Sequence, residues 1–173
     1  MKVLVSAASK HGATADIARA IGNTLESAGI DVEVRPPEDV SSFEPYDGVV
    51  LGSAVYAGRW LGPMKRLIDR EVPALIHKPV WLFSSGPIGD PPKPLDEPAD
   101  ARGLRERIHA LDHQVFPGKL DRRSLGLAER AIMSVVHAPD GDFRTWEPVA
   151  SWARTIADTL KATVVEKAVP SIG

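Results

Sequence analysis

A chain of 173 residues, 43% of them apolar and 25% charged, has the size and balance of one ordinary soluble domain. Its formal charge of −2 lacks the basic excess that nucleic-acid binding uses, and the absence of cysteine excludes disulfides, thiolate metal sites and a cysteine nucleophile. No apolar run approaches the ~20 residues of a membrane span, and the run after Met1 and Lys2 is too short for a signal peptide, so a cytoplasmic protein is expected, with peripheral membrane contact still compatible.

In chain order, Lys2–Val5 is a short apolar run that predicts a buried strand, and Ala13–Ala28 repeats apolar residues at helical spacing, with Gly29 as its stop. Asp31–Arg35 alternates polar and apolar, as an edge strand does. Gly48–Leu51 and Val80–Phe83 read as strands covered on both faces. Between them a helix carries Leu61, Met64, Leu67 and Ile68. Residues 86–100 are too rich in proline for helix or strand, and a long irregular segment of this kind in a compact domain usually serves function. A helix over 99–111 follows, with Leu104, Ile108 and Leu111 on one face, and Val115-Phe116 before a Pro-Gly break make a fifth strand. Two more helices are expected over Leu125–Val136 and Trp146–Val164. The last has Val149, Trp152, Ala153, Ile156, Ala157 and Leu160 as its buried stripe.

Strands alternating with helices predict an α/β fold: a doubly wound, five-stranded parallel sheet of order 2-1-3-4-5 with helices on both faces. No internal repeat divides the chain. Residues 1–165 are expected to form a single domain and residues 166–173 a frayed tail.

In such a sheet the strands' carboxyl ends open on one edge, where ligands bind. Three bends rich in small residues fall there: Ser6–Thr14, Gly52–Trp60 and Ser84–Asp90. The first combines Ser9, Lys10, Gly12 and Thr14 with a helix N-terminus, which presents unpaired N–H groups and about half a positive charge. Two readings stand for it, a phosphate site or plain capping of the helix by Ser or Thr. It has neither the GxxxxGK[ST] nor the GxGxxG spacing of nucleotide loops. In the second bend Tyr56 and Trp60 either stack on a planar ligand or, for Trp60, pack on the following helix.

The run "SAASKHGATADIA", the segment "DGVVLGSAVYAGRW" and the closing "GDFRTWEPVASWARTIA" resemble the flavodoxin superfamily, whose members bind flavin mononucleotide (FMN). Within it they look most like the flavodoxin-type, menaquinone-dependent protoporphyrinogen IX dehydrogenase branch of haem biosynthesis. The resemblance implies a flavodoxin-like fold, FMN as cofactor, and an oxidoreductase passing electrons from a small-molecule substrate to a quinone. By it the FMN phosphate would sit on Ser9, Lys10, His11, Gly12, Ala13 and Thr14. The ring would lie between Ser53, Ala54, Val55, Tyr56, Ala57, Gly58 and Trp60 on one side and Ser84, Ser85, Gly86, Pro87 and Gly89 on the other. The chain departs from the pattern in three places, one being that Gly86-Pro87-Ile88-Gly89-Asp90 offers no aromatic to cover the ring. Flavodoxin carriers usually have an uncharged phosphate turn, where Lys10 and His11 stand here. The enzyme branch tends to place a basic residue where this chain has Val55-Tyr56. Lys10 and Arg59 would raise the potential of a bound flavin above that of an acidic carrier.

Other function classes leave their marks or fail to. A weak net charge favours an enzyme or quinone-coupled protein over a shuttle steered to a basic redox partner protein. That electron carrier, and a flavodoxin-fold binding protein without cofactor, stay as alternatives. A phosphoryl-accepting receiver needs carboxylates at the ends of strands one and three, and none is there. His109 and His113 have i, i+4 spacing, which suits a metal or, with no third ligand, simply a solvated helix face, and no metal site is expected. His137 is expected to be a structural loop residue. Trp146 and Trp152 are expected to pack on the sheet.

Overall fold

The computed structural model describes residues 1–86, 97–120 and 141–168. The long strands are β1 (Lys2–Ala8), β2 (Asp31–Arg35), β3 (Gly48–Tyr56), β5 (Val80–Ser85) and β6 (Asp112–Phe116), with a two-residue strand β4 (Arg59–Trp60) after β3. The helices are α1 (Ala13–Ser27), α2 (Gly62–Leu75), α3 (Ala99–Arg107) and α4 (Trp146–Ala168), and β7 (Lys119–Leu120) pairs with β8 (Gly141–Asp142). The five long strands form a parallel sheet in the order β2-β1-β3-β5-β6, which is the expected 2-1-3-4-5 counted over long strands alone. The expected helix over Leu125–Val136, together with His137, Pro87 and Gly89, lies outside the described residues.

Side-chain alternation sorts the sheet into two cores. Val3, Val5, Val50, Trp81, Phe83 and Phe116 face α1 and α4, where they meet Ile17, Ile21, Leu25, Val149, Trp152 and Ile156. Leu4, Val49, Leu51 and Leu82 face α2 and α3, against Met64, Leu67, Ile68, Leu104 and Ile108. Each such aliphatic side chain taken fully out of water contributes about 1.5–3 kcal/mol. The expected buried stripe of α4 is the observed one.

Three expectations are corrected. The strands run further than their apolar stretches: β1 continues to Ala8, β3 to Tyr56 and β5 to Ser85. Their small residues stay in the ladder, with Ala7 opposite Gly52 and Gly52 opposite Phe83. A Cβ on Gly52 would stand 2.1 Å from the Phe83 ring, so the bend-like composition there is a packing requirement. Second, α3 stops at Arg107, because the chain turns left-handed at His109 (φ 54°) and Ala110 N–H closes on Arg105 C=O. Leu111 is thereby exposed, and its N–H joins Val80 C=O. Third, Trp152 packs edge-on against Phe83 and Phe116 as expected, but Trp146 is exposed, its ring under the Arg144 guanidinium at 4.9 Å.

Candidate functional site

With β1 ending at Ala8, the first bend shrinks to Ser9–Gly12. Gly12 takes a left-handed conformation (φ +85°) and is the residue preceding α1, whose first bond runs from Asp16 N–H to Gly12 C=O. No side chain caps the helix. That removes the capping alternative: the N–H groups of the first turn are left to something other than Ser9 or Thr14. Thr14 is buried, and Ser9 Oγ is covered without a hydrogen-bond partner among the described residues.

This bend forms one wall of a cleft at the carboxyl edge of the sheet, through Ser9, Lys10, His11, Ala13 and Thr14. Ala54, Val55, Tyr56 and Ala57 make the second wall, and Ser85 and Gly86 the third. Tyr56 reaches the first wall, its ring 5.6 Å from Lys10 Nζ and 6.4 Å from the His11 ring. β3 and β4 are joined by Ala57 and Gly58 alone, both at positive φ (49° and 73°), as a tight two-residue hairpin requires. A fourth wall, Gly118 and Lys119, was not foreseen. Its signal was available, since the Pro-Gly break follows a strand ending on the same edge. Backbones approach closely there: a Cβ on Gly118 would lie 3.2 Å from Gly86 Cα. None of the described cleft-lining residues is acidic, and two are lysines.

Ser53, Ser84 and Trp60 do not line the cleft. They fall on the alternate face of β3, β5 and β4, turned towards α2 and α3. Ser53 Oγ donates to Ala54 C=O (2.8 Å) and accepts from Leu61 N–H (2.9 Å). Trp60 is 2% exposed, and its Nε1–H donates to Ser84 Oγ (2.8 Å). Of the two readings for Trp60, packing is the one realised. His113 continues this chain with Nε2 at 2.9 Å from Ser84 Oγ and Nδ1 at 3.0 Å from Glu97 Oε1. Because Trp60 can only donate and Nδ1 faces a carboxylate, the satisfied arrangement has the Ser84 hydroxyl donating to Nε2 of a neutral imidazole. Burial pushes the His113 pKa down, outweighing the pull of Glu97 and Asp112. His113 is thus a buried strand residue and His109 a helix-terminating one, so neither the metal pair nor the solvated helix face is found. Among the described residues, no group of three or more His, Cys, Asp or Glu could hold a metal.

Behind the first wall, Arg144 spans Asp142 and Asp16. Its Nη2 is 2.6 Å from Asp142 Oδ2, its Nη1 2.8 Å from Asp16 Oδ2 and 3.5 Å from Ala13 C=O. The guanidinium holds both carboxyl groups below their ordinary range, and they raise its own pKa further. Elsewhere Asp100 stays below its usual pKa although burial opposes ionisation, because Lys65 and the Trp60 N–H bind it.

The fold and this edge define an α/β protein of the flavodoxin class. The chain belongs to the flavodoxin domain family, whose model matches residues 4–145. Among solved structures it is similar to a flavodoxin from the domain Archaea, with 19% identity, 93% of this chain and 99% of that one covered, and a TM-score of 0.64. Flavodoxin 1 from Bacillus cereus aligns at 17% identity, covering 89% of this chain and 95% of that one, with a TM-score of 0.61. The rubredoxin oxygen:oxidoreductase of Desulfovibrio gigas gives 15% identity and a TM-score of 0.66 over 94% of this chain and 37% of that one. At these identities the likeness is one of fold. No curated protein sequence matches the chain. No helix among the described residues is long and apolar enough to cross a membrane.

Proposed function

We propose that the cleft binds FMN and that the protein is a flavin-dependent oxidoreductase. The observation that carries this is the head of α1: a left-handed glycine, no side-chain cap, and beside it the covered, unpartnered Ser9 hydroxyl. That donor set fits a phosphate monoester, which accepts hydrogen bonds and offers no donor at neutral pH. In this reading the amides from Lys10 to Thr14 hold the phosphate, with the Ser9 hydroxyl and the Lys10 ammonium beside it. Ala54–Ala57 and Ser85–Gly86 flank the ring, with backbone close on both sides and Tyr56 as the aromatic contact. When bound, FMN supplies one- and two-electron redox chemistry. The protein's part is to orient it and set its electrostatics, and a lining in which Lys10 and Lys119 are the charged members among the described residues favours negative charge arriving on the ligand.

The finer reading is an enzyme of the protoporphyrinogen dehydrogenase type with a quinone acceptor, working in the cytoplasm or at a membrane surface. It rests on the sequence resemblance and is supported by the cationic lining, which suits an enzyme better than an acidic shuttle. The decisive measurements are a visible spectrum with FMN titration, then turnover of protoporphyrinogen with a quinone. Tight 1:1 binding of FMN with turnover upholds both levels. Binding without turnover leaves an electron carrier, and no binding leaves a flavodoxin-fold binding protein.

A further inference from the structure

Among the described residues, no side chain caps the first turn of α1. Gly12 is free of side-chain restraint, no cap is present, and nothing lies within 4 Å of where a Gly12 Cβ would stand. A turn that must hold several N–H groups on one phosphate has to be kept in place from elsewhere, since flexible donors lose affinity to ordering.

Among the described residues, Arg144 makes the long-range side-chain ties to this turn. Arg144, between β8 and α4, crosses 128 residues of sequence to bind Asp16, in the first turn of α1. Its side chain is only 8% exposed, and its Nε and Nη2 are fixed by the two Asp142 oxygens at 2.8 and 2.6 Å. Backing on Trp146 further restricts it. The guanidinium is therefore preorganised before it meets Asp16, which is where its planar fork outperforms a lysine. Asp16 also binds Arg19, on the solvent side. The tie has an electrostatic side as well: a bare carboxylate one turn into α1 would repel a dianionic phosphate at the helix N-terminus, and Arg144 cancels much of that charge.

We propose that Arg144 is a positioning residue for the phosphate end of the cleft, holding the first turn of α1 in its anion-binding form through Asp16 without touching the ligand. This rests on the FMN reading above. It gives the closing "GDFRTW" segment a role in a site built 130 residues earlier in sequence.

The test compares FMN with riboflavin, which lacks only the phosphate, by quenching of flavin fluorescence. Arg144→Gln is expected to weaken FMN about tenfold, the size of one charge-assisted hydrogen bond, while riboflavin changes less than about twofold. Arg144→Lys, which keeps the cation but offers a single point of attachment, should lose about threefold for FMN alone and guards against a misfolded glutamine variant. In an Asp16→Ala background, Arg144→Gln should no longer move the FMN-to-riboflavin ratio, because both changes break one contact. Equal losses for both flavins, no loss, or a loss that persists without Asp16 would each overturn the proposal. If the unmodified protein binds neither flavin, the FMN reading fails and this proposal with it. If it binds FMN normally and the variants do too, only the proposal fails.

Discussion

Two sets of small hydroxyl residues sit at neighbouring strand ends and have opposite fates. Ser9, after β1, lines the cleft, and its covered hydroxyl finds no partner among the described residues. Ser53 and Ser84, near the ends of β3 and β5, are fully buried on the other face and spend their hydroxyls inside the scaffold, on Leu61, Trp60 and His113. Residue type does not separate them. Pleat parity does, since one step along a strand exchanges the α1 side of the sheet for the α2 side.

The comparison breaks most visibly at Trp60. Its replacement by alanine empties a buried indole site and leaves Ser84 short of a donor, with an expected loss of about 3–5 kcal/mol in denaturant unfolding. Ser84→Ala should cost about 1–3 kcal/mol, because it strands the Trp60 N–H and the His113 ring nitrogen in a buried setting. Ser9→Ala sharpens the contrast from the other side. Stability should move by less than about 0.5 kcal/mol, while FMN affinity falls about tenfold or more, the worth of one hydrogen bond to a charged acceptor. A stability loss at Ser9 equal to that at Ser84 would erase the distinction.

The smallest effect is in pH dependence. His113 has a folded pKa below its unfolded value of about 6.5, so the unfolded chain takes up the proton first as pH falls. Its stabilising contribution is complete above pH ~6.5 and is lost as pH drops towards the folded pKa. Glu97 and Asp112 oppose this shift, Arg105 reinforces it, and Trp60 and Ser84 contribute no charge. A His113→Gln variant should flatten the unfolding curve in that window. A wild-type curve already flat as pH falls below about 6.5 would remove His113 from the scaffold's account.

Much of this was legible beforehand for a simple physical reason. The alternation of strands and helices and the buried stripe of α4 follow from local periodicity, and the shared edge of the bends from the uniform direction of parallel strands. Strand ends were placed too early, at Val5, Leu51 and Phe83, because apolar character fades before pairing does. Lys119 carries no local signal of its own, and only the strand-end rule applied to Phe116 points to it. Parity along β3 and β5 would have separated Ser53 and Ser84 from Ala54 and Ser85.

The amino-acid order alone determined the class of fold and the bend where a phosphate can sit, since helix starts, glycine conformations and strand patterns are local and need no partner. Tertiary structure decided which hydroxyls find partners, where Trp60 goes, that His113 is buried against Ser84 and Glu97, and that Arg144 reaches α1. Those depend on what stands opposite a side chain across the sheet, and that neighbour lies tens of residues away in sequence.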